Sequence, residues 1–266
     1  MTLGHGSRLV LVHGFTQTGR SWDQVASKLS SQHEIVLVDL PGHGGSSAVR
    51  ADLVTGAALI AQAGGKAAYA GYSLGGRHCL HLALLYPDLV ERLVLISASP
   101  GIAENAERAA RRATDDALAA SLDVGDLQEG ARCQRETSNV EHGRCPKLEA
   151  FLRTWLDQPL FSKLDHTTSG FETRLAENSC AGLASSLRLA GAGVQESLWK
   201  RLGELDMPVL AIAGSEDRKY ASIARRMVRE IGTNAQVAIV ERAGHAAHLE
   251  RPDALASILD SFMNNR

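Results

Sequence analysis

Short, almost unbroken apolar runs recur along the chain: RLVLV at 8–12, EIVLVD at 34–39, AAYAG at 67–71, RLVLISA at 92–98, VLAIAG at 209–214 and QVAIV at 236–240. None shows the polar alternation of a strand with one face in water, so each predicts a β-strand buried on both faces. Helical patterns separate them. Strands alternating with helices predict a parallel sheet covered on both sides, an α/β domain of about six to seven strands.

Between Pro100 and about Lys200 the strand signal vanishes, and AENAERAARRATDDALAASL and LEAFLRTWLDQPLF read as helices, the second ending at its proline. Sheet pattern resumes at Val209. The expected organisation is a core of residues 1–99 and 203–266 interrupted by a helical cap over 100–202. An insertion at a strand's C-terminal end lies over the edge where open α/β sheets bind ligands. Only 12 residues precede His13, which leaves little room for an additional N-terminal hairpin.

Composition narrows the function classes. A length of 266 residues, 44% of them hydrophobic, can bury a sizeable core in one domain. With 28 Lys and Arg against 30 Asp and Glu, the formal charge of −2 gives no general attraction to nucleic acid or anionic membrane. Any preference for anions must be local. The apolar run Leu9 to Val12 is too short for a signal segment or a membrane span. Cys79, Cys133, Cys145 and Cys180 show neither a C-x-x-C pair nor zinc-like spacing, so reduced thiols, a cytoplasmic location and no bound metal are expected.

The candidate chemistry centres on Gly71-Tyr72-Ser73-Leu74-Gly75, a G-x-S-x-G between a predicted strand and a predicted helix. Flanking glycines permit the tight turn that exposes a nucleophilic hydroxyl. By itself the motif is weak. His13-Gly14-Phe15 after the first strand adds a place for a second oxyanion donor, so the backbone N–H groups of Phe15 and Leu74 could hold a developing negative charge. Asp217, after one late strand, and His245, after the next, reach the same sheet edge as Ser73. A carboxylate that orients a neutral imidazole makes a serine hydroxyl basic or nucleophilic, and Ser73, Asp217 and His245 occur in the expected order.

Other candidates have plainer readings. Glu216 would point away from Asp217's side of an extended segment, and His248 lies in the turn beyond His245. LPGHGGSS lacks the G-K-[ST] ending of a phosphate loop and reads as a structural turn. His78 and His81 read as core or surface histidines. Arg77 is more puzzling, because a cation in the first turn of a helix opposes the macrodipole at a cost of about 0.3–1 kcal/mol.

The ordered segments VLVHGFTQTGRSW, VDLPGHGGS, GYSLGGR, SPGIAENAERAARR, WLDQPLF, AGSEDRKY and AGHAAHLERP span nearly the whole chain. Together they resemble the 2-succinyl-6-hydroxy-2,4-cyclohexadiene-1-carboxylate synthases, α/β-hydrolase-fold enzymes of menaquinone biosynthesis. HGF and G-x-S-x-G are common to the superfamily, whereas GGR, the AENAERAARR run and WLDQPLF are more discriminating. The polar stretch TDDALAASLDVGDLQEGARCQRETSNVEHGRCP does not match well, which implies a reshaped cap.

The resemblance implies a lyase that eliminates pyruvate from a cyclohexene bearing a succinyl ketone, a ring carboxylate and an enolpyruvyl ether, with no cofactor. Such a polycarboxylate would explain Arg77, which shares a helical face with Ser73 and could hold a carboxylate bidentately. A surface arginine or a salt bridge to cap acids is the alternative. By the same resemblance Arg112 and Arg174 would be further carboxylate contacts, with Arg111 and Arg108 able to replace Arg112, Trp155 would line the pocket and Tyr72 would flank the serine. Trp155 could instead be cap core, and Lys219 could add positive potential or be solvated. A hydrolase of esters or carbon–carbon bonds on the same triad is the second reading. A non-catalytic receptor is the third, and it would not need the triad and both oxyanion elements. Neither nucleic acid nor membrane insertion is expected, and a homo-oligomer is left open.

Overall fold

A computed structural model describes residues 1–123, 145–165 and 167–265. The seven strands among them are β1 (Thr2–Leu3), β2 (Ser7–Val12), β3 (His33–Val38), β4 (Ala67–Tyr72), β5 (Val90–Ile96), β6 (Val209–Gly214) and β7 (Ala235–Val240). They form one sheet in the order β1-β3-β2-β4-β5-β6-β7. Only β1 runs antiparallel, pairing Thr2 with Val36 and Leu3 with Ile35. The six apolar runs read from the sequence are β2 to β7, but β7, at the sheet edge, is not buried on both faces as expected, Gln236 and Val237 being exposed. The two-residue β1 is too short to show a pattern of its own.

The described helices are α1 (Asp23–Leu29), α2 (Leu53–Gly64), α3 (Leu74–Leu85), α4 (Asn105–Leu122), α5 (Pro146–Leu156), α6 (Phe171–Glu177), α7 (Cys180–Ala190), α8 (Arg218–Ile231), α9 (Ala247–Glu250) and α10 (Pro252–Asn264). Their starts follow from sequence chemistry. The Asp52 carboxylate accepts from the Thr55 N–H at 2.7 Å before α2, and the Ser179 hydroxyl accepts from the Gly182 N–H at 3.1 Å before α7. Prolines open α5 and α10, where the missing N–H costs no hydrogen bond.

Successive residues of each central strand face opposite sides, and both sides are apolar. Val10, Val12, Tyr69, Leu93 and Leu95 pack beneath α2, α3 and α8, while Leu9, Leu11, Ile35, Val94 and Ile96 pack against α1 and α10. A third apolar cluster joins α4, α5, α6 and α7 through Leu122, Leu148, Leu152, Leu175 and Leu183. These four helices lie between β5 and β6 in the chain. The poorly matching polar stretch falls largely outside the described residues. Cys145 is disulfide-bonded, which corrects the expectation of four reduced thiols.

Candidate active site

Gly71 and Gly75 on either side of Ser73 allow a tight strand-to-helix turn where a Cβ would clash with neighbouring backbone. Ser73 joins β4 to α3 with φ +51° and ψ −107°, a conformation costly for a residue with a Cβ. The turn is held by the Ser73 N–H donating to Ile96 O at 2.9 Å. Gly75 lets α3 pass against β2, because a Cβ there would lie 2.2 Å from Val12 O and 2.5 Å from His13 O. Ser73 Oγ lies 3.4 Å from His245 Nε2, and His245 Nδ1 lies 2.7 Å from Asp217 Oδ2. Asp217 also caps α8, its Oδ1 accepting from the Tyr220 N–H at 3.1 Å. The carboxylate is thus fixed by the helix it starts. Both His245 and Asp217 are buried, and the rings of Tyr220 and Tyr72 pack on the imidazole at 4.5 and 5.4 Å.

Glu250, which the sequence reading passed over, shapes the histidine loop. Its carboxylate accepts from the N–H groups of Gly244 and Ala246 on either side of His245, at 2.5 and 3.0 Å. Glu216 forms an ion pair with Lys163 at 2.7 Å and does not compete with Asp217.

The Phe15 segment is fixed by neutral histidines. His13 donates from Nδ1 to Gly14 O at 2.8 Å and accepts the Leu40 N–H on Nε2 at 3.0 Å. His43 donates from Nδ1 to Pro41 O at 3.0 Å and accepts the Thr16 N–H on Nε2 at 3.3 Å. Accepting an N–H requires an unprotonated nitrogen. Burial agrees with this, pushing the His13 pKa down to about 4 and that of His43 well below its ordinary value. LPGHGGSS is accordingly a structural turn, and Asp39 tightens it by accepting from Gly19 and Gly45 N–H groups at 2.7 and 2.9 Å. The N–H groups of Phe15 and Leu74 donate to no group among the described residues, which leaves both for a ligand oxygen.

A cavity of about 100 Å³ opens beside Ser73, with Phe15, Tyr72, Arg77, Trp155, Arg174 and His245 in its wall. A larger groove of about 800 Å³ between α5 and α6 lacks the triad. Arg77 donates through Nη1 to Ala190 O at 2.8 Å and Gln195 Oε1 at 3.3 Å, leaving Nε and Nη2 without a partner among the described residues. Arg174 is buried and donates to Ser169 O at 2.8 Å and to the Thr16 hydroxyl. Neither forms an ion pair among the described residues. Burial lowers both guanidinium pKa values to about 10.

The other expected contacts divide. Trp155 lines the cavity and also packs on Phe15 and Phe161 with ring centroids 4.9 and 6.0 Å away, so its wall and core readings both apply. Arg112 does not reach the cavity; its exposed side chain faces Asp116 at 4.0 Å. Arg111, one residue earlier on α4, takes that place and donates to buried Asp115 at 2.7 Å. Lys219 is exposed, its ammonium 6.0 Å from the Tyr220 ring centroid. Gln17, Phe161 and Tyr220 are cavity residues that the sequence reading did not single out, and only the position of Gln17 beside HGF offered a signal.

Residues 9–258 match the profile described as the alpha/beta hydrolase family. The chain belongs to the alpha/beta hydrolase family. Among its relatives in that family, the putative 2-succinyl-6-hydroxy-2,4-cyclohexadiene-1-carboxylate synthase of Bacillus subtilis is 31% identical, over 97% of this chain and 90% of that protein. Protein PHYLLO, chloroplastic, of Arabidopsis thaliana is 30% identical over 97% of this chain, which spans only 15% of that protein's length. The solved structure of MenH from S. aureus superposes with a TM-score of 0.84 at 27% identity, covering 99% of this chain and 97% of that one.

Proposed function

We propose that this chain is a carbon–oxygen lyase that eliminates pyruvate from 2-succinyl-5-enolpyruvyl-6-hydroxy-3-cyclohexene-1-carboxylate, giving 2-succinyl-6-hydroxy-2,4-cyclohexadiene-1-carboxylate. The observation that carries the reading is a Ser-His-Asp relay opening onto Arg77 and Arg174, two enclosed guanidiniums with no carboxylate partner among the described residues. An enclosed cation lacking an acid partner is costly, and a carboxylate ligand offsets that cost. An uncharged ester offers it nothing. The relatedness to synthases of this reaction supports the same conclusion.

In this mechanism His245, oriented by Asp217, takes the Ser73 proton as Ser73 Oγ removes the proton alpha to the succinyl ketone. The electron pair moves onto the ketone oxygen, held by the Phe15 and Leu74 N–H groups. Its return through the ring expels the enolpyruvyl oxygen, and His245 returns the proton to the leaving group as pyruvate forms. No water is consumed and no acyl-enzyme forms. Arg77 and Arg174 hold the carboxylates so that the proton and leaving group are aligned. Residues 100–202 serve as the cap, with Arg111, Trp155 and Arg174 as its contributions. Ligand sites commonly exceed about 300 Å³. The cavity of about 100 Å³ therefore has to widen when substrate enters.

The test is pyruvate release from the enolpyruvyl substrate, coupled to lactate dehydrogenase, for wild type and Ser73→Ala. Release that falls at least about 1,000-fold in the variant is expected. Absence of release from wild type, with turnover of a simple ester, would overturn the lyase in favour of a hydrolase.

A further inference from the structure

Gln17 lies two residues beyond Phe15, almost completely buried, in the wall of the catalytic cavity. Its side-chain oxygen accepts from the Gly14 N–H at 3.1 Å and lies 3.2 Å from His248 Nε2. Gly14 N–H can only donate, so the atom facing it is the amide oxygen and the NH2 group points the other way. His248 Nε2 must then carry the proton, and burial, which pushes its pKa well below the ordinary value, keeps the ring neutral. The rings of Trp22 and Tyr72, centred 4.6 and 4.2 Å from His248, lock it in place. The orientation of the Gln17 amide is therefore fixed from behind. Its NH2 group has no hydrogen bond among the described residues.

Thr16, the preceding residue, accepts a hydrogen bond from Arg174 Nη1 on its hydroxyl, and Asn178 donates to Thr16 O at 3.0 Å. Arg174 Nη2, like the Gln17 NH2, has no partner among the described residues. The same two residues also line a side cleft of about 250 Å³, so together they form the partition between it and the catalytic cavity.

We infer that the Gln17 amide and the Arg174 guanidinium form a two-donor seat for one carboxylate of the ligand, making Gln17 a specificity-determining residue. This rests on the polycarboxylate reading of the site. A neutral amide beside a guanidinium adds a directed donor without adding charge, and so favours a carboxylate with one oxygen toward each partner. A purely structural role would end at the oxygen atom.

Gln17→Glu retains an oxygen for Gly14 and His248 while replacing the NH2 group with an acceptor. Gln17→Met removes both groups and serves as the second variant. Because the Gln17→Glu carboxylate also opposes the ligand's charge, the seat further requires the uncharged Gln17→Met to raise the succinate Kd at least about tenfold; a Gln17→Met within about twofold of wild type would overturn it. Succinate binding by calorimetry at pH 8 and KM for pyruvate release are measured on all three proteins. Losing a hydrogen bond to a charged group weakens binding about tenfold or more. The expectation is that Gln17→Glu raises the succinate Kd and KM by at least that factor, with kcat within about threefold of wild type and an unchanged melting temperature. Values for Gln17→Glu within about twofold of wild type, with Gln17→Met impaired, would make Gln17 structural and overturn the seat. Absence of succinate binding to wild type would overturn it as well. If wild type released no pyruvate while succinate binding still depended on Gln17, the reaction would fall and the seat would stand.

Discussion

Replacing Arg77 with methionine removes a cation from the first turn of α3 and tests why it is there. Burial lowers its pKa from that of a free guanidinium to about 10, and at 1.36 kcal/mol per pH unit the fold holds the charge at a cost of about 3 kcal/mol. That is an upper value, because part of the side chain is open to the cavity. The folded pKa lies below the unfolded one, so the cost is fully present at neutral pH and is relieved only as pH rises above about 10 toward the pKa of a free guanidinium. Methionine would remove it but leave Ala190 O and Gln195 Oε1 without their donor, at about 1–3 kcal/mol. The terms nearly cancel. Calorimetry should therefore show a melting temperature within a few degrees of wild type, given about 2–4 °C per kcal/mol for a chain of this size. Catalysis has no such compensation: loss of a buried charged partner for a carboxylate costs about 2–5 kcal/mol, or roughly 30-fold to several thousand-fold in kcat/KM for pyruvate release. A melting temperature lowered by more than about 6 °C with kcat/KM within about threefold of wild type would refute the reasoning and make Arg77 a structural residue.

On α4, Arg111→Ala should raise KM for the same substrate about tenfold, whereas Arg112→Ala, which alters an exposed side chain, should leave it within about twofold. Steady-state kinetics of the two variants would expose an exchange of roles. The buried histidines predict an acid-labile fold. His13 and His78 have pKa values lowered from 6.5 to about 4 and about 3, and His43 and His248 are also held well below their ordinary value. Below pH 6.5 the unfolded chain takes up protons that the fold refuses, so stability is full above that pH and falls with acidification. His13 alone accounts for about 3 kcal/mol by pH 4. Set against a typical total of about 5–15 kcal/mol, this predicts cooperative unfolding between about pH 5.5 and 4, followed by circular dichroism. A melting temperature flat from pH 7 to 4 would contradict it.

The sheet was legible because two-sided burial makes β2 to β6 nearly continuous apolar runs. β1 was not, since two residues carry no periodicity and its partner strand defines it. The elbow and the two late loops announced Ser73, Asp217 and His245 because strand, turn and helix leave their residues at one edge. The arginines were harder to place. On α4 adjacent residues project about 100° apart, and the sequence run AARRA does not indicate which arginine faces inward. Buried Asp115, one turn after Arg111, decides it. Glu250 and Gln17 were missed for a related reason: each acts on the backbone of a neighbouring loop, a contact visible only once that loop is folded.

The charge arrangement explains why these loops employ so many neutral imidazoles. Asp115 is ion-paired to Arg111 and acts on Arg77 only from a distance, and neither Arg77 nor Arg174 forms an ion pair among the described residues. A carboxylate paired to either would quench it and remove the attraction for substrate proposed for it. A protonated imidazole nearby would add repulsion to an already positive pocket. His13 and His43 avoid both outcomes by accepting backbone N–H groups, and His248 by directing its one proton to Gln17. Each provides hydrogen-bonding rigidity without charge. The enclosed positive charge is thus left for the ligand to neutralise, and the helix dipole that α3 aims at the same place, unfavourable to Arg77, becomes favourable when an anion arrives.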